Sequence, residues 1–93
     1  MIHTALVQLP PADILDRAKV FFSERVPQMA AFVEKEGPTF LVLRGQGGEE
    51  VVFGVVPLED GKGNRLRVST LLFDQPVDRF LSTLPLQAAV EVH

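Results

Sequence analysis

The chain has 93 residues, 46% of them hydrophobic and 23% charged, which is the composition of one folded domain with a modest core and excludes a disordered segment. A net charge of −3, from 9 Lys plus Arg against 12 Asp plus Glu, removes the electrostatic attraction on which nucleic-acid binding rests. With no Cys, disulfides, thiolate nucleophiles and Cys-containing zinc sites are excluded. The start, Met1-Ile2-His3-Thr4, lacks the basic and apolar regions of a signal peptide, and no apolar run approaches the ~20 residues of a bilayer span. A cytoplasmic protein without membrane contact is the expectation.

Ile2, Thr4, Leu6 and Gln8 alternate with His3, Ala5, Val7 and Leu9, predicting a first strand closed by Pro10-Pro11. The period then changes. Ile14, Leu15, Ala18, Phe21, Phe22 and Val26 recur at helical spacing, predicting an amphipathic helix from about Ala12 to Arg25, stopped by Pro27. Gln28 to Val33 reads as a short second strand and Glu34-Lys35-Glu36-Gly37-Pro38 as a turn. Thr39 to Arg44 and Glu50 to Val56 are two further strands around Gly45-Gln46-Gly47-Gly48, a loop rich in the residue that tolerates positive φ.

A second polar loop, Glu59-Asp60-Gly61-Lys62-Gly63-Asn64, leads to a fifth strand. There Leu66, Val68, Thr70 and Leu72 face one way and Arg65, Arg67 and Ser69 the other, a half-exposed pattern that suits a sheet edge. Asp74 is a candidate N-cap for a second helix carrying the stripe Val77, Phe80, Leu81 and Leu84, with Pro85 as its stop. Leu86 to Val92 alternates weakly and is either a short extra strand or a tail. The fold class is α+β: a single antiparallel sheet of about five strands with two helices on one face, in the order β-α-β-β-β-β-α.

Three stretches carry a resemblance: the Pro10-Pro11-Ala12-Asp13 helix entry, the hairpins around Gly45 to Gly48 and Gly61 to Gly63, and Leu66-Arg67-Val68-Ser69-Thr70 passing into the helix at Val77 to Leu84. In element order this layout resembles a reduced helix-grip domain of the START and Bet v 1-like superfamily, within the β-α-β4-α arrangement also seen in each half of TATA-binding proteins. The resemblance implies a space between sheet and helix able to hold an apolar ligand. The alternative layout is ferredoxin-like with an added hairpin, in which Leu86 to Val92 pairs beside the first strand.

The candidate sites are few. His3 and His93 could meet only if the chain ends pair. No Gly-x-Ser-x-Gly elbow surrounds Ser23, Ser69 or Ser82, so no serine nucleophile is indicated. The carboxylate pairs Asp13 and Asp16, Glu34 and Glu36, Glu49 and Glu50, and Glu59 and Asp60 sit at helix starts and turn tips, where water keeps them ordinary. Gly45 to Gly48 joins two strands and lacks the Lys and helix of a phosphate loop. Arg44, Arg65 and Arg67 could form an anion patch if the third and fifth strands flank the fourth.

The two-faced apolar strands are the strongest feature. Either Phe40, Val42, Val51, Phe53 and Val55, or Leu41, Leu43, Val52 and Val56, make up a face that the helices leave uncovered. Several hundred Å² of such surface at ~25 cal/mol per Å² is worth several kcal/mol, enough to drive association. The expected function is therefore a non-enzymatic domain that self-associates, as a homodimer, with no cofactor and no metal. A helix-grip-like carrier of a small apolar ligand is the alternative, followed by an enzyme that binds an anionic substrate through its arginines.

Overall fold

A computed structural model describes residues 2–24, 31–45, 47–58, 63–71, 73–85 and 91–92. The elements are β1 (Ile2–Val7), α1 (Pro11–Glu24), β2 (Ala31–Glu36), β3 (Phe40–Gly45), β4 (Glu50–Pro57), β5 (Asn64–Thr70), α2 (Asp74–Leu81) and β6 (Glu91–Val92). All strand pairings are antiparallel, in the spatial order β2-β3-β4-β5-β1-β6. The predicted β-α-β-β-β-β-α order and α+β class hold.

Burial alternates along every central strand, because the two helices cover the same sheet face. Ala5 and Val7 of β1, Leu41 and Leu43 of β3, Val51, Phe53 and Val55 of β4, and Leu66 and Val68 of β5 are buried. So are Ile14, Leu15, Ala18, Phe21 and Phe22 of α1 and Val77, Phe80 and Leu81 of α2, and all of these side chains form one cluster. At its centre Phe22 packs against Phe53 at 5.7 Å, Phe80 at 6.0 Å and Phe73 at 6.2 Å between ring centroids, each edge to face. Such pairs add about 0.5–1.5 kcal/mol each beyond their buried area. Phenylalanines from both helices and from β4 thus meet at the centre of the core.

Polar contacts fix the joints between elements. The Asn64 side-chain amide donates to the Leu9 carbonyl at 2.6 Å, tying the start of β5 to the connection between β1 and α1. The Phe73 backbone N–H donates to the Thr70 hydroxyl at 3.1 Å, turning the chain from β5 into α2.

Several expectations need correction. The second strand runs over Ala31–Glu36 and includes the charged stretch expected to be a turn; Gln28 to Ala30 lie outside the described residues. As an edge strand, β2 buries only Ala31, so hydrophobic periodicity could not mark it. The fifth strand is interior, between β4 and β1, because its alternation reports one-sided cover and carries no information about edge position. Phe73 occupies the N-cap of α2 and Asp74 is the first helical residue. That helix ends at Leu81, one turn short of the expected stripe, with Ser82 as its C-cap. The extra carboxy-terminal strand exists as β6, which pairs with β1 at His3↔Val92 and Thr4↔Glu91; residues 86–90 lie outside the description.

Candidate functional site

The far side of the sheet, opposite the helices, is the candidate site. Strand register lays its residues out in rows. One row runs Lys35, Val42, Val52, Ser69, Ile2, and the next runs Phe40, Gly54, Arg67, Thr4. A third brings Val56, Arg65 and Leu6 together, and a fourth joins Phe32, Arg44 and Glu50. Val56 is 61% exposed and Phe40 43%, while Ile2, Leu6, Val42 and Val52 are half-buried among their neighbours.

This register splits the expected apolar sets. Phe40 and Val42 do lie on the open face, but Val51, Phe53 and Val55 point to the opposite side and are buried under the helices. In the other set, Val52 and Val56 are on the open face, and Leu41 and Leu43 are in the core. The hairpin loop decides this. Gly45 N–H donates to the Glu49 carbonyl at 2.7 Å, so an even-numbered residue of β3 faces an even-numbered residue of β4.

The arginines also divide. All three lie on the open face, with β3 and β5 flanking β4 as required, yet Arg44 stands four residues along the strands from Arg67. Arg44 is engaged locally. Its Nε donates to Glu34 Oε2, one Nη to the Gly48 carbonyl and the other to Glu50 Oε2, each at 2.9 Å. The bond to Glu34 is the largest of the causes that hold its guanidinium above the ordinary arginine value, followed by the charges of Glu34 and Glu50. Arg65 and Arg67 have no ion-pair partner among the described residues. Of the three expected arginines, these two stay neighbours, two residues apart on the open face of β5.

The other candidates are dispersed over the fold. His3 lies on the helix-facing side of β1, buried, and His93 is outside the described residues. No group of three or more metal-ligating side chains occurs among the described residues. The Ser23 hydroxyl donates to the Val20 carbonyl and that of Ser82 to the Arg79 carbonyl, as helical serines do when they bond the preceding turn. Glu49 accepts from Gly47 N–H, and Glu36 and Asp16 pair with Lys19. Glu59 and Asp60 lie outside the description. Between α1 and α2, a cleft of about 430 Å³ lined by Asp16, Arg17, Val20, Phe21, Phe80 and Thr83 opens to solvent.

Sequence reasoning missed Ile2, Thr4, Leu6 and Gly54 as parts of the open face. The parity of the Gly45 to Glu49 loop was the signal that could have found the last of them. Among the described residues no helix is long and apolar enough to cross a membrane. No protein-family model, curated protein or solved structure matches the chain.

Proposed function

We propose that this protein is a non-enzymatic domain that self-associates through its open sheet face, as a homodimer. One observation carries the reading: the face opposite the helices bears Ile2, Leu6, Phe40, Val42, Val52 and Val56 and has no cover from the chain's described residues. Five strands about 4.8 Å apart and about six residues deep at ~3.3 Å present roughly 500 Å² per copy. Two such faces reach the ~1,000 Å² at which specific interfaces begin.

The β2 edge is a poorer route to association than the face. β2 carries Glu34, Lys35 and Glu36 in succession and a register shift between Val33 and Lys35, and both features discourage strand addition. The order β-α-β4-α supports reading the chain as a reduced helix-grip layout, but its ring-filled interior favours association over the carriage of an apolar ligand.

Sedimentation velocity from low to high micromolar concentration tests the reading. A concentration-dependent shift from monomer to dimer, abolished by Val56→Glu with the circular dichroism spectrum unchanged, is the expected result. A single monomeric boundary at every concentration would sink it.

A further inference from the structure

Gly54 occupies the middle of β4 for no reason that the described residues supply. A glycine inside a strand loosens the unfolded chain and contributes no side chain, so it is retained where φ is positive or where something approaches the backbone closely. Its φ is outside the positive range, where among the described residues Gly48 and Gly63 fall. A β-carbon built on it would meet no atom within 4 Å. Gly37, Gly45 and Gly47 differ, since a β-carbon on any of them would collide with a neighbouring side chain. The space above Gly54 is open, and it lies on the uncovered face between Val52 and Val56.

We infer that Gly54 is the point of closest approach between two copies of this chain, packed face to face about a two-fold axis that runs along β4. The inference rests on the self-association proposed above and adds its geometry. The arginines select the axis. Turning about an axis across the strands at Gly54 would set Arg67 against Arg67 of the second copy, because both lie in the row of Gly54. An axis along β5 would likewise stack Arg65 and Arg67 on themselves, and like charges facing each other are unfavourable. An axis along β4 carries β5 of one copy over β3 of the other, which places Arg67 above the exposed ring of Phe40, an attractive cation–π arrangement. Along the axis, Val52 and Val56 then meet their own counterparts, and the glycine between them lets the two backbones close in.

Sedimentation equilibrium and thermal unfolding of the wild type, Gly54→Ala, Gly54→Val and the control Val20→Ser test the inference. Both Gly54 variants should fold with an unfolding midpoint at or above that of the wild type, measured below the dissociation concentration. Gly54→Val should weaken dimerisation at least about tenfold, a loss of ~1.4 kcal/mol. Val20→Ser, exposed on α1 on the helix side of the sheet, should leave it unchanged. Since the chain has no Cys, Val56→Cys should be joined to its counterpart by a short bis-maleimide. A dimer that Gly54→Val leaves intact overturns this inference while the self-association stands, and a monomeric wild type removes both.

Discussion

The ring of Phe40 lies across Gly37, its partner at the β2–β3 hairpin. Gly37 N–H donates to the Phe40 carbonyl at 2.9 Å, and ring atoms Cδ1, Cε1 and Cζ fill the place where a β-carbon on residue 37 would stand. A glycine at a strand end is here covered by a neighbouring aromatic, which shields its backbone. Gly37→Ala must swing that ring away, so the expected cost is about 1 kcal/mol or more of stability. Urea unfolding followed by far-ultraviolet circular dichroism measures it, and an unchanged midpoint would show that the ring does not rest on Gly37.

Two phenylalanines one register step apart should behave oppositely. Phe53 is fully buried and touches both Phe22 and Phe80, whereas Phe40, across the β3–β4 ladder, is 43% exposed on the other face. Phe53→Ala should cost about 3–5 kcal/mol. For 93 residues the whole margin is only about 5–14 kcal/mol, so that variant should be near unfolding at ordinary temperature. Phe40→Ala should lose far less stability and weaken self-association instead. Equal destabilisation by the two would contradict the assignment of faces.

That contrast also shows what could be read from the chain alone. The period change at the first helix, the glycine loops and the paired Phe21 and Phe22 place the elements, because each follows from local rules of backbone freedom and amphipathic spacing. Which residues of β3 and β4 share a face is a different kind of information. It depends on whether the loop between the paired Gly45 and Glu49 holds an odd or an even number of residues, and a shift of one would exchange Phe53 with Gly54. Edge strands are hidden for another reason. β2 is held by its ladder to β3 and by ion pairs from Glu34 to Arg44 and Glu36 to Lys19, so its second half, Glu34-Lys35-Glu36, carries no apolar signal. Gly54 was legible as a glycine, but its meaning needed the empty space above it.

Asn64 is buried at the start of β5, and its donation to the Leu9 carbonyl spans a long stretch of sequence between two ends of the core. Asn64→Ala removes the donor and leaves a partly buried carbonyl without it, at an expected cost of about 1–3 kcal/mol. Hydrogen exchange should then quicken first at the amides of β1 and at the start of α1. A uniform loss of protection across the sheet would mean that the side chain supports the whole core and not this joint.

Lys19 links α1 to the sheet edge, with its Nζ 2.7 Å from Glu36 Oε2 and 3.3 Å from Asp16 Oδ1. The hydrogen bond to Glu36, then that to Asp16, raises its pKa above the ordinary lysine value. A folded-state value above the unfolded one means that the contribution is fully present below the unfolded pKa and disappears as pH rises through the folded one. Wild type should therefore exceed Lys19→Met in unfolding midpoint by a constant margin at neutral and mildly alkaline pH, and the margin should shrink beyond the ordinary lysine value of about 10.4. Because the pair is exposed, added salt should narrow the same margin at neutral pH. A margin that survives unchanged through strong alkali would show that the methylene stem of Lys19, which lines a groove with Leu15 and Leu41 next to β2, contributes the stability and the charge does not.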